Sequence, residues 1–166
     1  MTDRAEYSAE NCSVARTLAV VGERWTLLVL REAYYGVRRF SDFQANLGIA
    51  RNLLATRLGT LVEQGILARE TYQEPGSRAR QEYRLTVKGR DLFPALVALM
   101  QWGDTYLADP KGPAVEIRHD ACDEPVRAVL HCAHGHGPLT ARETHPVPGP
   151  GAIRVHRDPA STVRTR

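Results

Sequence analysis

Apolar positions recur at helical spacing through the first hundred residues. Val14, Leu18 and Val21 lie four and three apart, and Trp25, Leu28, Val29, Glu32 and Ala33 keep a similar rhythm after Gly22. The pattern predicts two helices joined at Gly22 and Glu23. Ser41 predicts the N-cap of a short helix anchored by Phe40 and Phe43 and ending near Asn46, Leu47 and Gly48. The next helix is expected over about Ala50 to Gln64, with Leu54, Leu58, Leu61 and Val62 on one side and Gly65 as its left-handed terminator. Beyond Gly65 the period shortens. Leu67 to Tyr72 and Gln81 to Leu85 read as strands around a Pro75-Gly76-Ser77 turn. Thr86 then predicts the cap of a long helix to about Leu107, striped by Leu92, Leu96, Leu99, Gly103 and Tyr106 beside Phe93, Met100 and Leu107.

This order predicts a mainly α fold with a small β-hairpin wing, a winged helix-turn-helix. With Leu54, Leu58 and Leu61 inward, steps of about 100° place Asn52, Ala55, Thr56 and Gly59 outward. A helix entering the major groove needs short side chains, donors and acceptors for base edges, and a cation near its N-terminus. Asn52, Ala55, Thr56 and Arg51 have that character, although an ordinary solvated helix face would look similar. Gly48, Ile49 and Ala50 provide no capping side chain, so a phosphate or water can accept the first N–H groups.

The chain has 166 residues, 43% of them apolar and 25% charged, and a net charge of +3, which by itself says little about nucleic acid. The placement of charge changes that. Residues 38–57 carry Arg38, Arg39, Arg51 and Arg57 against Asp42 alone, and residues 78–90 carry Arg78, Arg80, Arg84, Lys88 and Arg90 against Glu82 alone. Arg78 and Arg80 would sit near the hairpin tip, within reach of DNA. Arg57, Arg38, Arg39 and Ser41 are lesser candidates for phosphate. No apolar run is long enough for a membrane span, and the polar opening residues do not read as a signal peptide. A cytoplasmic protein without a membrane partner is the expectation. No activated nucleophile with an orienting partner is visible, which argues against an enzyme.

The run from Cys12 to Arg16, Gly22-Glu23-Arg24-Trp25-Thr26-Leu27-Leu28-Val29-Leu30-Arg31 and Arg39-Phe40-Ser41-Asp42-Phe43 resembles the HxlR-type transcriptional regulators. So do Gly48 to Leu54, Arg57-Leu58, Leu61, Gly65-Ile66-Leu67 and Tyr83 to Gly89. The resemblance covers about residues 12–107. It implies a homodimer on a two-fold-related operator in double-stranded DNA, with the first and last helices building the dimer interface and repression the expected sign. The breadth of the last helix's stripe points the same way.

The domain expectations are a flexible N-terminal arm at 1–11, the DNA-binding and dimerisation domain at 12–109, a Cys/His-containing extension at 110–145 and a flexible tail at 146–166. Three cysteines cannot build a disulfide framework. Cys12 stands where similar regulators carry a cysteine, in some of them a redox sensor, and a thiol at a helix N-terminus is favourably placed for reactivity. An inert small residue is the alternative. In the extension, His119, Cys122, Cys132, His134 and His136 offer thiolates and imidazoles for a zinc ion, though no cofactor is required for the function. Similar extensions imply a second cysteine where Gly135 stands. Either His134 or His136 substitutes, or the metal site has decayed. A small-molecule effector between the dimer helices and the winged domain stays open, as does the alternative of a metal- or redox-responsive protein-interaction module on a winged-helix scaffold.

Overall fold

The structure is a computed structural model describing residues 7–73, 76 and 78–154. Its elements follow in the order α1 (Ser13–Val21), α2 (Arg24–Tyr34), α3 (Phe40–Leu47), α4 (Arg51–Glu63), β1 (Leu67–Tyr72), β2 (Arg80–Leu85), α5 (Val87–Arg90) and α6 (Phe93–Tyr106). Fold class and element order are as expected. Pro75 and Ser77, two residues of the expected turn, lie outside the described residues.

The core gathers the inward faces of α2, α3 and α4 on the hairpin base. Val29, Leu30, Phe43, Leu54, Leu58, Leu61, Ile66 and Leu67 are fully or nearly fully buried. Burial of such side chains, each worth roughly 1.5 to 3 kcal/mol, fixes which way α4 turns. Ile49, buried in the turn before α4, sets the α3–α4 angle. Polar ties add register. Glu32, buried on α2, accepts from Arg31 at 2.7 Å and from Asn46 of α3 at 2.9 Å.

Gly65 ends α4 at φ +66°. Its N–H donates to the Val62 carbonyl and the Ile66 N–H to the Leu61 carbonyl, both at 2.9 Å, the paired closure in which a side chain would be strained. The chain then enters β1, which pairs antiparallel with β2 from Leu67 opposite Leu85 to Tyr72 opposite Arg80. The segment before α3 adds to the hairpin edge: Tyr83 N–H donates to the Arg38 carbonyl at 2.8 Å, and Arg39 bridges Glu82. The wing is thereby fastened to the start of α3.

Two details differ from the sequence reading. The N-cap of α3 is Arg39, and Ser41 sits inside the first turn, its hydroxyl donating to Asp42 Oδ1 at 3.0 Å. Thr86 does cap a helix, accepting from Gly89 N–H at 3.1 Å, but that helix is only Val87–Arg90. The break at Asp91 and Leu92 follows from Pro94, which has no N–H to donate and whose ring would clash with the Arg90 carbonyl four residues back. Residues 146–154, the start of the expected tail, bond to the N-terminal arm. Ser8 N–H donates to the Ile153 carbonyl at 2.9 Å, Tyr7 bridges Arg154, and Asn11 Nδ2 donates to the Gly151 carbonyl at 3.0 Å. Backbone pairing and one amide hold that segment to the N-terminal arm, where apolar periodicity carries no signal. Residues 1–6 and 155–166, the rest of the expected arm and tail, lie outside the described residues.

Candidate nucleic-acid interface

Helix α4 presents to solvent the face expected of it. Asn52, Ala55 and Thr56 are exposed, Gly59 is half-buried, and Leu54, Leu58 and Leu61 point into the core. No side chain of the N-cap residue Ala50 caps the helix. Asn52 Oδ1 accepts from Leu53 N–H at 2.9 Å, so one of the orphan donors is met from within the helix. That bond turns the Asn52 amide over the helix start and leaves Nδ2 without a partner among the described residues. Thr56, an exposed residue, donates its hydroxyl proton to the Asn52 carbonyl at 3.0 Å, which leaves its oxygen as an acceptor. A donor, an acceptor and small apolar groups on one protruding face match the major-groove edges of base pairs.

Beside this face, α3, the start of α4 and the hairpin enclose a cleft of about 540 Å3. Arg39, Arg51 and Arg80 line it, together with Ser41, Gln44, Gln81 and the ring of Tyr72. Two of the guanidinium groups rest on aromatic faces: Arg51 over Phe40 at 5.0 Å and Arg39 over Tyr72 at 4.9 Å from the ring centres. Stacking of this kind holds a planar cation against the wall of the cleft. The cleft thus joins the two basic segments that stand apart in the sequence.

The remaining expected site residues distribute unevenly. Arg38 and Arg78 are exposed. Ser41 lines the cleft, with its hydroxyl turned to Asp42. Arg57 turns the other way. It is three-quarters buried and its Nε lies 3.1 Å from Glu23 Oε2, a contact too poorly aligned to count as a hydrogen bond. The same Glu23 oxygen accepts from the N–H groups of Trp25 at 2.9 Å and Thr26 at 3.3 Å, so it caps α2. Arg57 therefore fastens α4 to the start of α2. Gln44, Tyr72 and Gln81 were missed in the sequence. Tyr72, opposite Arg80 in the β1–β2 register, lines the cleft from the hairpin together with Gln81, and Gln44 lines it from α3.

Cys12 is the N-cap residue of α1 and half-buried, in a hollow of about 420 Å3 bounded by residues 7–13 and by the 146–152 segment. In the extension, His119 Nδ1 lies 3.2 Å from Cys122 Sγ, and His136 Nδ1 lies 3.4 Å from Cys132 Sγ. These are two separate pairs. Among the described residues, no three such donors already surround a common point. Nor, among them, is any helix long and apolar enough to cross a membrane.

Comparison with known proteins agrees with this geometry. The model of the HxlR-like helix-turn-helix family matches residues 20–111, more than half of the chain. An uncharacterised HTH-type transcriptional regulator of Mycobacterium tuberculosis is 53% identical over 142 residues, covering 86% of this chain and 89% of that one. The uncharacterised HTH-type transcriptional regulator YdeP of Bacillus subtilis is 32% identical over 61% of this chain and 80% of its own. Among solved structures, PA1607, a proposed transcription factor, superposes with a TM-score of 0.73 at 41% identity over 90% of this chain and 96% of that chain. The redox regulator HypR in its oxidized form superposes with a TM-score of 0.53 at 30% identity, over 59% of this chain and all of that one.

Proposed function

The chain belongs to the HxlR-like helix-turn-helix family of transcriptional regulators, and from that premise we propose that it acts as a homodimer on a two-fold-related operator and represses transcription there. The observation that carries the reading is the cleft in which Arg39, Arg51 and Arg80 meet beside the outward face of α4. A duplex with its major groove on Asn52, Ala55 and Thr56 passes a phosphate backbone over that cleft and a flanking groove over Arg78 on the wing. Phosphate contacts at the arginines position the helix, and the short side chains of α4 read bases. Arg38 is placed to add to the phosphate field, while Arg57 holds α4 in place through Glu23.

Two-fold binding is supported by apolar surface on the helices at either end of the domain. Val14 and Leu18 of α1 and Leu99, Trp102 and Tyr106 of α6 are all more than half exposed. One copy of the chain leaves these faces to water, and a second copy of the same chain can cover them. Regulation is proposed to act through Cys12. Oxidation or modification there would disturb the joint between α1 and the 146–152 segment, and with it the spacing of the two α4 helices. HypR, a redox regulator, supports that part of the reading by its similarity.

Two measurements test the assignment. Operator affinity is expected to fall steeply with salt, and Arg51→Ala to reduce the slope of log affinity against log salt by about 1, the signature of one lost phosphate contact. Asn52→Ala is expected to lose roughly 1 to 3 kcal/mol at one base position while leaving binding to random duplex unchanged. Equal losses on operator and random duplex for Asn52→Ala would remove α4 as the reading helix. Operator binding that ignores oxidant, in the wild type as in Cys12→Ser, would remove the redox step.

A further inference from the structure

We propose that the extension binds one zinc ion per chain through His119, Cys122, Cys132 and His136. Residues 110–154 contain no buried side chain, and Val97 is the last core residue among the described residues. A segment of that length holding defined turns without a core of its own needs another source of order, and a metal ion supplies one where apolar burial cannot.

The two candidate turns share one construction. The His119 carbonyl accepts from the N–H of Cys122 at 3.3 Å and of Asp123 at 2.8 Å, and Asp123 takes a positive φ of 56°. The Cys132 carbonyl accepts from Gly135 N–H at 2.9 Å, Gly135 takes a φ of +82°, and Cys132 N–H donates to the His136 carbonyl at 3.0 Å. Each turn folds a cysteine onto an imidazole, at Sγ to Nδ1 distances of 3.2 and 3.4 Å. A tetrahedral zinc with Zn–S of about 2.3 Å and Zn–N of about 2.0 to 2.1 Å holds S and N about 3.5 Å apart. Each pair is therefore an arm near the bite of a tetrahedral ion. Two thiolates and two neutral imidazoles balance the charge of a divalent cation, and sulfur with nitrogen selects zinc over magnesium or calcium.

The geometry also chooses between the two histidines of the second turn. His136 lies against Cys132, Nδ1 to Sγ at 3.4 Å, and no such contact joins His134 to a cysteine among the described residues. Closing the site brings the two arms together across a link that is tied to α6 by the Ala128 N–H bond to Gln101 Oε1 and that carries Val129 and Leu130 exposed. Each thiol gives up its proton as its sulfur binds, and no redox change is involved.

The test uses the full-length chain with zinc alone. After zinc loading and desalting, one equivalent per chain is expected by elemental analysis, and bound zinc is expected to shield Cys122 and Cys132, but not Cys12, from alkylation. Loss of an outer-shell partner costs about 10- to 100-fold in affinity, so His136→Asn, which removes a ligand, is expected to cost at least that, and His134→Asn about twofold or less. Substoichiometric zinc, equal alkylation of all three cysteines with and without zinc, or zinc kept by the Cys122→Ser/Cys132→Ser protein would each overturn the proposal. The alkylation pattern is read on the wild type, so it does not depend on any variant folding.

Discussion

Gly89→Ala is expected to cost the winged domain about 3 kcal/mol or more, a large share of the roughly 5 to 15 kcal/mol that holds a domain of this kind folded. A Cβ on Gly89 would lie 2.2 Å from the Ile66 carbonyl oxygen and 3.0 Å from Leu85 Cδ2. Overpacking a core usually costs about 1 to 3 kcal/mol because side chains can shift. Here the obstacle is backbone that cannot. The Ile66 carbonyl already accepts from Thr86 N–H at 3.1 Å and from Thr86 Oγ1 at 3.1 Å, while Gly89 N–H is held by the same hydroxyl. The Gly89 carbonyl in turn accepts from the Tyr34 hydroxyl. The glycine thus locks α5 onto the strand start and onto α2. Urea unfolding followed by circular dichroism measures the loss, and a midpoint close to the wild type's would mean that α5 can lift away freely. Burial, helped by Asp91, pushes the Tyr34 phenol up to about 12. Because its folded value lies above the ordinary 10, the stability Tyr34 contributes is complete below pH 10 and is lost as pH rises through about 12.

The second large effect belongs to α6. Trp102→Glu is expected to give a monomer in sedimentation and to weaken operator binding by about 10²- to 10⁴-fold, the advantage a linked second half-site confers. Trp102 is 57% exposed, and its ring lies tilted against that of Tyr106 one turn on, at 5.4 Å between ring centres. Folding of the single chain should therefore change by no more than about 0.5 kcal/mol. Charge placed among Leu99, Tyr106 and Leu107 would instead be buried wherever two copies meet on this face. A variant that stays dimeric with operator affinity intact would place the interface elsewhere. Paired with Gly89→Ala, it separates loss of assembly from loss of fold.

Several parts of the arrangement were legible before any coordinates. Leu54, Leu58 and Leu61 repeat at helical spacing, and that repeat places Asn52 and Thr56 outward because apolar burial orients a helix more strongly than any surface contact. Gly65 and the change of period after it mark the hairpin for the same local reason. The break in the last helix was also written in the chain, at Pro94, yet the apolar stripe of residues 92–107 masked it. Ser41 was misjudged as a cap because a suitable residue type is not a suitable position. The extended backbone of Arg39, bonded across to Tyr83, starts α3 earlier.

Other features exist only once distant segments meet. Glu23 is an unremarkable acid in the sequence, and Arg57 reads as one more basic residue on the proposed reading helix. Packing of α4 on α2 turns them toward each other, with Arg57 Nε 3.1 Å from Glu23 Oε2. The strand register brings Tyr72 and Arg80 beside Arg39 and Arg51, converting two stretches of positive charge into one cleft. Pairing of residues 7–8 with 153–154 closes the hollow at Cys12 from a stretch with no periodic apolar content. The sequence by itself therefore determined the local elements, the buried face of each helix and the family, since these follow from periodicity, turn chemistry and motif order within short windows. The tertiary structure decided which charges face outward and which are consumed within the fold, because ion pairs, stacking and backbone bridges depend on distances that residue order alone does not specify.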